Sequence, residues 1–265
     1  MTWLNTSVQT GFARSASEAM FPRLFPDAGW WCPSLNPAMG GTRLWDLSGR
    51  QNWGTLTNMA NDDWVTSGGK GALDFDGSND HVASMGNITI SPSRTVSLWF
   101  QSTSTTAAEK WLFGANPGSA GTAFGILQIS GIVYVTQFGD SMNSVVSYSD
   151  GVWHNCVALH TGSAWSLFLD GRSVATKTMT TNPTASTINL GRNPFGGANP
   201  FPGQLDDIRI YSRALTAGEV RQLYQIGRGN MPLRRRRRYT EQMAGFRAYW
   251  ARNNSRLIGA GNVSS

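Results

Sequence analysis

Carboxylates are where hydrolysis or metal binding would have to begin in this chain, and they are sparse. Sixteen Asp and Glu stand among 265 residues, and charged side chains make up only 14%, against about 25% in an average soluble protein. Glycoside hydrolysis needs two carboxylates across a cleft, one acid and one nucleophile or base. Glutamate occurs only as Glu18, Glu109, Glu219 and Glu241, far apart in sequence. Aspartates gather at Asp62-Asp63, at Asp74, Asp76 and Asp80, and at Asp206-Asp207. Three histidines (His81, His154, His160) and no G-x-S-x-G string leave little for a nucleophilic triad. His154 follows Trp153 in a strand-like segment and is expected to be structural. Catalysis is not the reading these residues favour.

Clustered aspartates suit a hard cation, which wants several oxygen ligands. The segment Asp74–Asp80 is not an EF-hand loop, since Gly77 stands at its fourth position and Met85 where the glutamate would be. Asp46 and Asp76 are equally good Asx-turn residues, so both readings stay open. Sugars are gripped differently, by exposed aromatic faces with polar side chains beside them. Of 11 Trp, Trp53, Trp64 and Trp111 fall in loop-like contexts and Trp99 on the polar face of a strand. These four are the candidate platforms, core packing being the alternative for each. The Gly-, Asn- and Pro-rich stretches Gly114–Thr122 and Pro194–Gly203 are the natural places for specificity.

Positive charge is concentrated at one end. From Met231 onward there are eight Arg and one Glu, a net +7, while the first 230 residues hold 14 basic and 15 acidic side chains. Five of the arginines, Arg234, Arg235, Arg236, Arg237 and Arg238, are consecutive. Segregation of this kind marks an attachment segment for an acidic protein surface, nucleic acid or anionic lipid. Arginine forks serve protein docking well, and no read-out fold accompanies the run, so protein is favoured over nucleic acid. No stretch of about 20 residues stays apolar, so no membrane span is expected. The N-terminal residues lack an apolar h-region, so no secretory signal is expected. Cys32 and Cys156 are too few for a disulfide framework and are expected to be reduced core residues.

The elements that must position these groups read as short strands separated by turn signals. In Thr95–Gln101, Val96, Leu98 and Phe100 fall on one face, Ser97 and Trp99 on the other. Gly125–Ser130 and Ile132–Phe138 flank Gly131 as a hairpin. Val152–Leu159, Trp165–Leu169, Arg172–Thr178 (after an Asp170-Gly171 turn) and Leu205–Tyr211 complete the series. Thr216 and Glu219 fit a capping box that opens a helix, with Val220, Leu223 and Tyr224 on its apolar side and Gly227 as its stop. A second helix is expected over Tyr239–Asn254, with Met243, Phe246, Tyr249 and Trp250 at helical spacing. Phe246, Tyr249 and Trp250 are, with the arginine run, the candidate partner-docking residues.

Seven ordered pieces carry a resemblance. They are Gly29–Ser34, Leu44–Gly49, Gly54–Met59, Gly71–Gly77, Trp153-His154, Leu169–Gly171 and Leu205–Leu215. Over about residues 27 to 227 the chain resembles the LamG-like (laminin G, concanavalin A-like) jelly-roll family. The resemblance implies an all-β, two-sheet antiparallel jelly-roll sandwich with one short capped helix. An N-terminal arm (1–26) precedes it and an arginine-rich tail (228–265) follows. It also implies a calcium site near Asp46, Asp76, Asp80 and Asp207, although Trp53 stands where related sequences frequently have His. The E-x-D-x-x-E string of the glucanases that share this architecture is absent. This version of the jelly roll, with Trp31-Cys-Pro-Ser34 near its start and the arginine run after its end, resembles open reading frames of tailed phages and environmental viral sequences, and the segment Phe246–Gly259 resembles C-termini of phage structural proteins.

The favoured reading is thus a non-enzymatic virion protein, assembled in the host cytoplasm. It would be a capsid decoration, cement or head-fibre-type component that docks on capsid or other virion proteins and forms homo-oligomers. A carbohydrate-binding adhesin or tail receptor-binding protein is the alternative, and a glycan depolymerase the second.

Overall fold

The computed structural model describes residues 24–35, 40–68, 70–89, 93–116, 124–137, 139–179, 185–196 and 199–228. The expected helix over Tyr239–Asn254, Arg234–Arg238, Phe246, Tyr249, Trp250 and residues 1–23 of the arm lie outside the described residues. Backbone contacts divide the chain into two compact units, Pro26–Tyr224 and a second made of Met1–Phe25 with Gln225–Ser265.

Among the described residues the chain forms seventeen strands and one α-helix. In chain order the first nine strands are β1 (Gly29–Trp31), β2 (Arg43–Leu44), β3 (Gly54–Thr57), β4 (Trp64–Ser67), β5 (Lys70–Asp76), β6 (His81–Ala83), β7 (Asn87–Thr89), β8 (Ser93–Gln101) and β9 (Lys110–Asn116). Then come β10 (Phe124–Ile129), β11 (Ile132–Gln137), β12 (Asp140–Ser147), β13 (His154–Thr161), β14 (Trp165–Leu169), β15 (Arg172–Lys177), β16 (Ala185–Leu190), β17 (Pro202–Tyr211) and α1 (Ala217–Gly227). One sheet runs β15-β14-β13-β8-β17-β5-β4 with β1 added on β17. The other runs β12-β11-β10-β9-β16-β6-β3-β2 with β7 added on β16. The ladders are antiparallel, and neighbours such as β8 and β17 are far apart in sequence. This is the two-sheet jelly-roll sandwich that the resemblance implies.

Alternation in the sequence decides which residues meet between the sheets. Val96, Leu98 and Phe100 of β8 point inward with Cys156 and Ala158 of β13 and Leu205, Ile208 and Ile210 of β17. From the facing sheet come Phe113, Ala115, Phe124, Ile126, Val133 and Val135. Both thiols are reduced and buried, and burial pushes the Cys156 pKa well up.

Two hairpin turns follow from local chemistry. Ser130-Gly131, with φ of 51° and 77°, joins β10 to β11, and Asp170-Gly171, at 50° and 75°, joins β14 to β15. Two successive positive φ values are the type I′ geometry that suits the strand twist, and Gly takes the second at no steric penalty. The capping box forms as expected: Thr216 N–H donates to Glu219 Oε2 (2.8 Å) and Glu219 N–H donates to Thr216 Oγ1 (3.3 Å). Arg213 grips the same carboxylate with both terminal nitrogens.

Some boundaries differ from the sequence reading. Strand β13 starts at His154, because Val152 is drawn into a turn by Asp150, whose Oδ1 accepts the Val152 N–H (3.1 Å). The stretch Gly114–Thr122 is not all loop: Gly114–Asn116 close β9, while 117–123 lie outside the described residues. The segment Pro194–Gly203 likewise ends inside β17.

Candidate functional site

Two glycines lie beneath one side of a cleft on the outer face of the nine-stranded sheet. Gly125 of β10 lies opposite both Gly114 of β9 and Thr136 of β11, so two adjacent strands present no side chain there. Larger groups lie over the bare backbone. A Cβ on Gly125 would stand 2.2 Å from Trp111 Cζ3, and one on Gly114 would stand 2.6 Å from Pro194 Cδ. Next to that proline is Phe195, 43% exposed, its ring 6.4 Å from Trp111 and nearly perpendicular at 75°. Asn193 Oδ1 accepts the Phe195 N–H (2.8 Å), which fixes the turn and leaves the amide nitrogen as a donor.

Glu109 precedes Trp111 by two residues, the spacing that puts side chains on one face of an extended chain. The Trp111 indole N–H donates to Glu109 Oε2 at 2.9 Å, so the second carboxylate oxygen can accept from a ligand. Thr136 Oγ1 donates a long hydrogen bond to the Asp140 carbonyl (3.4 Å). With Phe124 and Gly139, these residues enclose about 300 Å³, the lower end of the range for small-molecule sites. An aromatic face, a carboxylate, a hydroxyl and an amide in one shallow cleft match a polyol, whose hydroxyls both donate and accept.

The structure redistributes the four candidate platforms. Trp111 lines the cleft but is only 5% exposed and sits in β9 rather than a loop. The open aromatic face belongs to Phe195, which the sequence reading passed over although it had marked that loop. Trp99 is a correction: its strand face is outward and polar, yet Tyr224 of α1 stacks on it (5.8 Å, 12°) and only 3% stays exposed. Trp64 is another, since it opens β4 inside the core cluster with its N–H on the Gly41 carbonyl (3.3 Å). Trp53 is half-buried. It packs edge-on to Trp45 at 5.2 Å, and the exposed Arg43 guanidinium lies 4.9 Å over its ring.

The four candidate calcium ligands do not fit a single site. Asp46 is buried and accepts the N–H groups of Trp30 (3.0 Å), Ser48 (2.9 Å) and Asn52 (3.1 Å); burial raises its pKa despite these bonds. Asp76 makes an Asx turn, accepting from Ser78 (2.7 Å) and Asn79 (3.2 Å), and these bonds lower its pKa. Asp80 accepts the Asp76 N–H (2.9 Å), with its pKa raised by burial. Asp207 is held by the Arg209 fork (2.7 and 2.8 Å) and the Trp30 indole N–H (2.8 Å). Asp46 and Asp207 thus accept through both oxygens, Asp76 and Asp80 through one each, in turns and an ion pair. Among the described residues no three Asp, Glu, His or Cys gather closely enough to hold a metal.

His154 lies between two carboxylates, Nδ1 on Asp170 (2.8 Å) and Nε2 on Asp150 (3.0 Å). Burial opposes its protonation, but the hydrogen bonds to Asp170 and Asp150 outweigh it and raise its pKa. Asp170 also accepts the Asn155 N–H (3.0 Å), so the group ties the start of β13 to the β14–β15 turn, outside the cleft lining.

The described strands thus form a lectin-like antiparallel jelly roll with an aromatic-walled cleft on one outer face. The profile of the concanavalin A-like lectin/glucanases superfamily matches residues 76–221, over half of the chain, and the chain belongs to that superfamily. No curated protein matches it significantly. Among solved structures it is similar to domain 4 of AbnA, a GH43 extracellular arabinanase from Geobacillus stearothermophilus, in complex with arabinotriose. That match has TM-score 0.59 and 17% identity over 75% of this chain and 98% of that one. It is also similar to the botulinum neurotoxin serotype D binding domain (TM-score 0.60, 12% identity, 80% of this chain and 53% of that one). Trypanosoma rangeli sialidase in complex with sialic acid matches at TM-score 0.56 and 17% identity, over 74% of this chain and 32% of that one. The chain therefore spans about half of the toxin domain and a third of the sialidase. At these identities the likeness is one of fold. Among the described residues no helix is long and apolar enough to cross a membrane.

Proposed function

We propose that this chain is a glycan-binding jelly roll without hydrolytic activity, carried as a structural component of a tailed-phage particle. The observation that carries the binding part is the cleft of Trp111, Phe195, Glu109, Asn193 and Thr136. Glu109 is the one carboxylate among its described lining residues, where glycoside hydrolysis takes two. The fold-level likeness to an arabinanase domain in complex with arabinotriose supports the same reading.

The particle part is supported by the separation of charge: a body of net −1 and a tail of net +7. The arginine run, with Phe246, Tyr249 and Trp250 after it, is suited to docking on capsid or neighbouring virion proteins. Binding of that run to packaged genome is the less favoured partner, and self-association is expected in a shell of repeated copies.

Two experiments test the two parts. Purified chain on a glycan array should bind a restricted set of sugars, and Phe195→Ala should abolish that binding. An array without binders would overturn the first part. Mass spectrometry of native particles should find hundreds of copies, lost when the chain is truncated after Gly229. A few copies per particle would point to a tail receptor-binding role, and absence from particles would overturn the virion reading.

A further inference from the structure

We infer that the cleft takes an uncharged glycan and that Glu109 is the residue that turns acidic sugars away. The inference rests on the glycan-binding reading and concerns the class of sugar. Among the described lining residues Glu109 is the only charged one, and no Lys or Arg lines the cleft to neutralise an acidic ligand. Lys110 and Arg192, the chain neighbours of Glu109 and Asn193, are not among those lining residues. Asp140, beside Gly139, is already paired with Lys177.

The lining matches a neutral hydroxyl ligand group by group. Glu109 Oε2 is held by the Trp111 indole N–H at 2.9 Å, which fixes the carboxylate and offers the other oxygen to sugar hydroxyls. Asn193 Oδ1 is spent on the Phe195 N–H, so the amide contributes a donor. A sialic acid or uronate carboxylate would enter beside Glu109 with no cation among the described lining residues to offset the repulsion, which grows as water is excluded. Hydroxyls carry no such penalty.

The test uses the full chain on matched oligosaccharides, neutral ones and their sialylated or uronate-containing counterparts, with affinities from titration calorimetry. The expected result is at least tenfold preference for the neutral member, which Glu109→Gln narrows by raising acidic-sugar affinity. Gln retains an acceptor for the Trp111 N–H, so a folded variant is expected, and the readout is the ratio of acidic to neutral affinity, which must rise in the variant whatever the change in neutral binding itself. Equal wild-type binding of both classes, unmoved by Glu109→Gln, would overturn the charge inference and leave the glycan reading standing. Binding of neither class, with the chain shown folded by its unfolding transition, would overturn the glycan reading itself and the inference with it.

Discussion

Gly125→Ala is the smallest change that should disable the cleft. A Cβ at that position would lie 2.2 Å from Trp111 Cζ3 and 2.9 Å from Cε3, well inside the roughly 3.5–4.0 Å at which carbon atoms pack. The ring must therefore retreat by more than roughly 1 Å. The Glu109 carboxylate bonded to the indole N–H, and Phe195 against the ring edge, move with it. Over-packing of this kind costs about 1–3 kcal/mol, while replacing Gly by Ala inside a strand returns about 0.5–1. The net destabilisation should be about 1–2 kcal/mol, so the variant stays folded. Binding should fall much further than stability, by tenfold or more. Urea unfolding and calorimetry with the best array ligand separate the two. Gly114→Ala, which drives a Cβ to 2.6 Å from Pro194, should act through the other wall. If Gly125→Ala left both affinity and stability unchanged, Trp111 would not lie over Gly125 and the construction of the cleft would be wrong.

Trp99→Ala should cost about 3–5 kcal/mol, the usual loss for a buried aromatic, and lower Tm by about 2–4 °C for each of those kcal/mol, without selective loss of glycan binding. A stable variant that no longer binds would make Trp99 an exposed platform after all. Because the folded-state pKa of His154 is raised, its contribution to stability is fully present below about pH 6.5. It is lost as pH climbs through the raised value. NMR titration should place His154 above the ordinary range, and Asp150→Asn should bring it down; titration at or below about 6.5 would contradict the geometry. Arg94 is 1% exposed, with its guanidinium 4.9 Å over the Trp165 ring and 5.8 Å over Phe124. Burial lowers its pKa to about 10, and Nε has no hydrogen-bond partner among the described residues. Arg94→Met should therefore be neutral or stabilising in urea unfolding; a loss of several kcal/mol would mean that the cation has a partner the geometry does not reveal.

What the sequence disclosed, and what it hid, divides along a physical line. Period-two alternation disclosed β8, the two hairpins and the inner face of the sandwich, and local side-chain chemistry disclosed the capping box, because those signals are complete within a few residues. Burial of the outer face was hidden. Ser97 and Trp99 read as the polar face, yet Tyr224, 125 residues after Trp99, stacks on that ring, and Ser97 is buried with its hydroxyl accepting from the Asn155 amide. Arg94 lies one residue before the strand as read from the sequence, yet β8 begins at Ser93 and the parity of Arg94 with Val96 and Leu98 points it inward. The cleft failed for the same reason from the other side. Its glycines come from β9 and β10, its exposed ring from the loop before β17, and its carboxylate from a residue weighed only as half of a missing catalytic pair. The aspartates, by contrast, were legible in both readings at once, and turn chemistry won because each already has backbone N–H groups or an arginine within 3.2 Å. Asp46 and Asp207, held through both oxygens, offer a cation little, whereas Glu109, held through one oxygen by a single indole N–H and standing in the cleft wall, keeps the other for a ligand.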